Sequence, residues 1–339
     1  MKRYDYVHQH TLKAIAKLES RITAYYNRAK KEAAKAVKEW QRQFAEADKQ
    51  HLDWLKNGVI DNSDYRSWRQ RTMARGESLR QLQQAVSKPY KTAYANSVKA
   101  INAQSAKVYA ESRNRSAYEV ETQSGASYAD YVSDAAAARQ GVTADLVEEL
   151  RAYDEYADRL IRNKATAAAV SGTPSNDLSE AIANGIAAGL VAAAKAKASN
   201  KLMDCCNQGK MDAWNEQAEA GIQTRKYWLA TLDDLTRPTH QDADGQEREL
   251  DEPFSVGGYD MMEPRDSSMG APPEETERCR CTCYERVGGL DREAFTRAAR
   301  DKAGYSAASP YGWGESYQVP GNMSYADWRR MKEENGQWV

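Results

Sequence analysis

From Tyr6 to Lys56 the chain carries one uninterrupted stripe. Val7, Thr11, Ile15, Leu18, Ile22, Tyr25, Ala29, Ala33, Val37, Trp40, Phe44, Ala47, His51 and Leu55 follow one another at steps of three or four, and no Gly or Pro intervenes before Gly58. That spacing is the period of an amphipathic helix. At ~1.5 Å per residue it predicts a rod of roughly 75 Å. Helices of this length belong to coiled coils, stalks and assemblies more than to ordinary enzymes. The stripe mixes Ala, Thr and His with bulky residues, so it reads as a packing face and not as a strict leucine seam.

The remaining chain is punctuated more often. Gly58 can end the rod, and Asp61 or Ser63 can cap the next helix. That helix is expected to run to about Val86 and to end or kink at Pro89, with a third helix from about Tyr90 to Glu111. Residues 117–134 mix β-branched and aromatic residues with Gly and Ser, which suggests a short strand or an irregular linker. Gly141 and Thr143 open a further helix ending near Ala168, and "SGTPSND" is a breaker followed by a cap. An Ala-rich helix then runs from Leu178 to Ala220, burying at least one of Cys205 and Cys206, and Gly221 ends it. Beyond Gly221, Pro, Gly and Asp interrupt short apolar segments, as in a small α+β module. The last fifty residues read as an extended arm with a short terminal helix, a kind of segment that orders by docking on a partner. The expected fold class is therefore mainly α, with long amphipathic helices in the N-terminal two thirds, a small α+β module and an extended C-terminal arm. The expected divisions are 1–140, 141–222, 223–290 and 291–339.

A net charge of −1 hides an asymmetry. Residues 1–120 hold 24 Lys and Arg against 12 Asp and Glu, whereas 231–285 hold 5 against 15. A basic half can face phosphate, with each neutralised phosphate releasing counterions; the competing reading is a solvated helix surface. No apolar run approaches the roughly 20 residues that span a bilayer, and "MKRYDYVHQH" lacks the apolar stretch of a secretory signal. Tyr and Trp are common (20 and 8) while Phe is nearly absent (3). Tyr and Trp join an apolar body to a polar tip and suit interfaces.

Chemistry centres on two places. Three of the five cysteines, Cys279, Cys281 and Cys283, stand at alternate positions, and the odd total argues against a disulfide framework. Of the four histidines, His8 and His10 are read as surface residues of the first rod, which His51 shares, and His240 lies among carboxylates. One reading is a strand whose cysteines pack inward while Arg280 and Thr282 face outward. A second is a structural zinc held by His240, Cys279, Cys281 and Cys283, although alternate residues of a strand lie ~6.5–7 Å apart and need a bend to share an ion. A third is metal-dependent hydrolysis by Asp233, Asp234, His240, Asp242 and Asp244. A catalytic cysteine would need a base in reach, and no nucleophile turn surrounds these three.

Trp228, Thr231, Asp234, Thr236, Arg237, His240, Asp244 and Gly245, then Phe254, then "GAPPEETERCRC" through Cys279, Arg280 and Cys281, resemble the signature of the phage head morphogenesis family, the Mu F-like minor head proteins. The likeness spans residues 225–289. Some members have Cys-x-x-Cys where this chain has Arg237 and His240. Two departures stand out. Ser199–Asn200–Lys201 occupies the place of an Arg-Thr-Glu-like triplet, and Arg278 stands where Asn is common. The resemblance implies a non-enzymatic minor capsid protein of the virion, in the head interior or at the portal vertex, assembled in the host cytoplasm. Its implied partner is the portal protein. Major capsid or scaffolding protein, and genomic DNA through the basic region, are further candidates, and no membrane is implied. Some relatives carry toxin or nuclease domains after the signature, an extension expected to be missing here. Trp228, Thr231, Asp234, Arg237, His240, Asp244, Gly245 and Cys279 to Cys281 become scaffold residues, with Gly245 turning the chain and His240 bonded to a carboxylate or backbone group. No cofactor is expected beyond a possible structural zinc. The alternatives are a metal-dependent nuclease or toxin-like effector using His240 and nearby carboxylates, and a coiled-coil adaptor or scaffold.

Overall fold

The computed structural model describes residues 5–74, 76–138, 178–291 and 319–335, with isolated helical positions at 155, 156, 158–160, 163 and 294. The expected helix from Gly141 to Ala168 and most of the arm after 291 lie outside the described residues. Within them the chain is mainly helical, followed by a small strand module and a C-terminal helix.

Helix α1 runs Tyr6–Lys56. Val7, Thr11, Ile15, Leu18, Ile22, Ala29, Ala33, Val37, Trp40 and Phe44 are all buried, and Tyr26, not Tyr25, fills the remaining step. Helix α2 spans Asn62–Ala74 and helix α3 Glu77–Ser124. The helix end expected at Pro89 is not found: α3 continues through it, and the chain turns at Gly76, whose φ is +107°. Proline costs a helix interior ~3 kcal/mol. Next to it Leu82, Val86 and Tyr90 are buried, and burial of side chains of this size contributes ~1.5–3 kcal/mol each. Packing outweighs the lost hydrogen bond. The region 117–134 is likewise not a strand. It is helical to Ser124, turns at Gly125 (φ +74°) and continues irregularly to the short helix α4, Asp134–Ala138. Helix α5 follows at Leu178–Glu219 and stops before Gly221 (φ +89°).

The residues form two compact units, Lys17–Ala100 with Thr143–Lys197, and Met1–Ala16 with Ile101–Val142 and Ala198–Val339. In the first, Trp40 Nε1 donates to Ser78 Oγ (2.7 Å), and Trp68 stacks on Phe44 and His51 at 5.8 and 3.6 Å.

In the second unit, β1 (Ile222–Leu229) is the centre of an antiparallel sheet ordered β2-β1-β5, with β2 at Glu247–Glu249 and β5 at Thr282–Leu290. Between β1 and β2 lies the one-and-a-half-turn helix α6, Pro238–Ala243. A hairpin of β3 (Phe254–Val256) and β4 (Tyr259–Met261) turns through Gly257 and Gly258, both at positive φ, as a tight two-residue turn requires. The short α7, Pro273–Thr276, leads into the cysteines. Trp214, Ile222, Trp228, Phe254, Val256, Met261 and all three cysteines share one core.

The helices of this unit are held to the sheet by buried charge. Lys210 on α5 is 1 % exposed. Its Nζ donates to Asp5 Oδ2 (2.7 Å), Thr282 Oγ1 (3.0 Å) and the Cys283 carbonyl (2.7 Å), using all three protons. Asp5 also caps α1, accepting from the His8 N–H at 2.7 Å. Burial alone would depress Lys210, but Asp5 outweighs it and keeps the ammonium charged. Thr282 is thus buried, not outward-facing as expected, because α5 covers its face of β5 and Asn207 Oδ1 accepts its hydroxyl at 2.8 Å.

The C-terminal helix α8, Tyr325–Asn335, docks on this same chain. Trp328 is fully buried and donates through Nε1 to Glu121 Oε2 (2.7 Å), while Lys332 Nζ reaches Glu121 Oε1 (2.9 Å) and Ser127 Oγ (2.7 Å). Glu121 also accepts the N–H groups of Tyr128 and Ala129, each at 2.7 Å, and so orders the irregular segment.

Helices α3 and α5 approach closely at Gly209, where an added Cβ would lie 2.7 Å from the Tyr109 carbonyl and 3.1 Å from the Arg113 nitrogen. Ser112 donates its hydroxyl to the Cys206 carbonyl at the same contact. Gly209→Ala is expected to destabilise the chain by about 1–3 kcal/mol through overpacking, despite alanine's better helix propensity; chemical denaturation of the two proteins measures it.

Candidate functional site

Strand β1 ends by delivering Trp228 into the core, and the turn that follows sets out the polar residues of the module. Asp244 Oδ1 accepts the Ala230 N–H (2.9 Å), and Gly245 (φ +80°) donates to the Trp228 carbonyl (2.9 Å). Asp244 is therefore committed to holding the chain reversal. Asp234 stands exposed in the same turn. Its neighbour Asp233 binds Arg280 through both oxygens, each at 2.7 Å. Arg237 precedes α6 and donates to the Glu277 carbonyl (2.6 Å). Pro238 at the first helical position suits an N–H that would have no partner there.

One turn later, His240 is 1 % exposed. Trp228 meets its ring edge-on at a centroid distance of 5.7 Å. Nε2 lies 3.0 Å from Glu275 Oε2, which also accepts the Thr239 hydroxyl at 2.9 Å. Nδ1 lies 3.4 Å from Cys279 Sγ and 3.5 Å from Cys281 Sγ, and the three ligand atoms are all within 4.8 Å of one another. Cys279 and Cys281 precede β5 and do not belong to it, contrary to the single-strand reading. Arg278, at φ +56°, turns the chain between α7 and Cys279. The Cys281 N–H then folds back on Cys279 Sγ at 3.4 Å.

Cys283 is not part of this group. It lies inside β5, and burial pushes its thiol up. Nor, among the described residues, do Asp233, Asp234, Asp242 and Asp244 assemble around His240 as a carboxylate site.

Contact with Cys281 holds the Cys279 thiol well below its ordinary value against the effect of burial, with His240 adding to it. The same contact, with burial, pushes Cys281 up. Burial alone would lower His240, but Cys279 and Glu275 outweigh it and raise the ring's pKa. Cys279, His240 and Glu275 stand in the order of a nucleophile, its base and an orienting acid. However, Cys279 is 3 % exposed and a second thiol occupies the same ring nitrogen, whereas a nucleophile must be reached by its substrate.

The backbone between the two cysteines is braced from the far end of the sequence. His8, read from sequence as a surface residue, is buried, and its Nε2 lies 2.7 Å from the Arg280 carbonyl. Burial and Lys210 lower His8 to about 4, so its neutral ring donates this bond at neutral pH. The Thr231 hydroxyl donates to the same carbonyl at 2.6 Å.

Residues 159–284 match the family model described as Phage Mu protein F like protein. Over this span the chain is similar to the Mu F-like family. The match covers α5 and the strand module through the cysteine turn. An NAD(+)–arginine ADP-ribosyltransferase, EFV, of Enterococcus faecalis (strain ATCC 700802 / V583) is 42 % identical over 80 residues, which are 24 % of this chain and 16 % of that protein. The chain thus spans about a sixth of that relative's length. No solved structure matches it. Among the described residues, no helix is long and apolar enough to cross a membrane.

Sequence reasoning placed the Mu F-like signature but missed its supports: Asp5, His8, Lys210, Asp233 and Glu275. None of these has a local pattern. Each acts across a long stretch of chain.

A cavity of about 1230 Å³ lies apart from the cysteine turn and is lined by acids including Glu219, Glu249, Asp251, Glu263 and Asp266. Glu263 Oε2 is buried without a hydrogen-bond partner, and burial, with repulsion from Asp266, Asp204 and Asp212, pushes its carboxyl up to about 8. Its proton leaves the unfolded chain near the ordinary value of 4.5 but stays on the folded chain to about 8. Stability is therefore lost as pH rises across that window, by on the order of a few kcal/mol. Glu263→Gln is expected to flatten this dependence and to be the more stable protein at pH 8, measured by denaturation at pH 5 and pH 8. Arg278→Asn is expected to gain up to about 1 kcal/mol, because Asn tolerates a left-handed backbone that costs other residues ~1–2 kcal/mol; the melting temperature checks it.

Proposed function

We propose that this chain is a non-enzymatic minor head protein of a phage virion that joins the portal vertex during head assembly. The observation that carries the reading is that the part of the Mu F-like match from residue 198 to 284 lies in one folded unit whose polar residues are spent on structure. Asp233 is bound by Arg280, Asp244 by a backbone N–H, and His240 by Glu275 and two buried thiols. The carboxylates that a metal-dependent nuclease would need are thus engaged or scattered. The name of the partial relative describes a protein of which this chain spans about a sixth, and that activity is not carried over.

The N-terminal rod supports contact with DNA. Between Lys13 and Lys38 it has eight Lys and Arg against two Glu. Lys13, Lys17, Arg21, Arg28, Lys31, Lys35 and Lys38 are exposed. Such a surface binds phosphate through counterion release, with an affinity that falls steeply with salt. The acidic module repels nucleic acid and is left for protein partners. The long helices supply the extended packing faces of an assembly protein.

Quantitative mass spectrometry of purified, nuclease-treated particles from the phage that encodes the chain tests this. The expected result is a few copies per portal ring in DNA-filled heads, together with co-purification of chain and portal. A chain found only free in the lysate, with no portal retained, overturns the proposal.

A further inference from the structure

We propose that His240 Nδ1, Cys279 Sγ and Cys281 Sγ hold a soft divalent cation of the zinc class, with Glu275 as the positioning residue that orients the imidazole. The site goes beyond the head-protein reading and does not depend on it.

The geometry carries the assignment. Zn–S bonds of ~2.3 Å and Zn–N bonds of ~2.0–2.1 Å, set at tetrahedral angles, place nitrogen and sulfur about 3.6 Å apart. The two observed N···S distances are 3.4 and 3.5 Å. A hydrogen bond explains one such contact. One ring nitrogen has a single proton or a single lone pair, and here it faces two sulfurs equally. An ion at the centre satisfies all three atoms.

The ring orientation agrees. Glu275 Oε2 accepts from Nε2 at 3.0 Å and is anchored by the Thr239 hydroxyl. A carboxylate on that side keeps the proton on Nε2 and turns the Nδ1 lone pair toward the sulfurs, the usual support of a histidine ligand. The Cys281 N–H directed at Cys279 Sγ (3.4 Å) stabilises a thiolate. The fold-back of the Cys281 N–H onto Cys279 Sγ marks the bend that lets residues two apart share one ion. The carbonyl between them is fixed by His8 and Thr231.

The donor set selects the metal. Two thiolates and an imidazole favour zinc over magnesium, calcium or manganese, which prefer oxygen. The ion binds both sulfurs as thiolates, so the proton still held by Cys281 leaves to solvent. Among the described residues three ligands converge, so a water or an outside donor completes the tetrahedron. The ion would clamp α6 to the entry of β5, 39 residues apart between His240 and Cys279.

The test uses the full chain, purified without chelator from zinc-supplemented medium. Its zinc content is measured by mass spectrometry, and Co²⁺ is then exchanged in to read thiolate-to-cobalt charge-transfer absorption. About one zinc per chain and a cobalt spectrum typical of tetrahedral sulfur coordination are expected. Cys283→Ser, Cys205→Ser and Cys206→Ser should keep both, and Cys281→Ser and His240→Gln should lose both. Glu275→Gln should keep the stoichiometry and weaken the affinity by about 10- to 100-fold. Metal-free wild-type chain without charge-transfer absorption overturns the proposal. So does its disappearance in Cys283→Ser, or its survival in Cys281→Ser. The wild-type and Cys283→Ser spectra decide the matter even if Cys281→Ser fails to fold. Rapid stoichiometric alkylation of Cys279 in the native, metal-free chain would favour a reactive thiol instead.

Discussion

Lys210 places an ammonium in the interior of the C-terminal unit and meets it with a carboxylate, a hydroxyl and a carbonyl. Removing one member of a buried pair leaves an uncompensated charge at a cost of about 3–5 kcal/mol, so these groups stand or fall together. Through them the start of α1, the middle of α5 and the first residues of β5 become one object. Asp5 caps α1 with its second oxygen, and that position sets His8 against the backbone of Arg280. The cysteine turn therefore depends on a charge pair more than 200 residues apart in the chain.

The same construction recurs at the other end of the unit. Glu121, fully buried, gathers Trp328, Lys332 and the N–H groups of Tyr128 and Ala129. Sequence texture suggested an arm waiting for a partner. Its terminal helix instead finds its site on α3, since Trp328 supplies apolar area and a buried carboxylate supplies an acceptor for its indole N–H. Both clusters use ions to tie helices to irregular backbone. Their value lies as much in specifying one arrangement as in net stability, a role polar networks fill only when every member is satisfied.

The candidate site follows from these restraints. A Cys-x-Cys segment in an extended strand would point both thiols one way but hold them too far apart for one partner. The fold-back of Cys281 onto Cys279 and the brace on the Arg280 carbonyl change that geometry. His240 arrives from a helix too short to be stable alone, held by Pro238, Trp228 and Glu275. An Asn at the position of Arg278 would suit φ +56° better than Arg does.

The rod from Tyr6 to Lys56, the Ala-rich helix to Glu219, the stops at Gly58 and Gly221, and the signature from Trp228 to Cys281 were all readable along the chain. Each rests on short-range chemistry: the helical period, the freedom of glycine at positive φ, and motif spacing. Pro89 misled because its penalty is local and smaller than the burial around it. Tertiary structure alone decided that His8 is buried, that Thr282 faces α5, that Asp233 binds Arg280, and that Cys279 and Cys281 meet His240 while Cys283 turns elsewhere. Those outcomes depend on contacts between residues far apart in sequence, where burial removes water and makes hydrogen-bonding partners obligatory, and no periodicity along the chain records which partner each group finds.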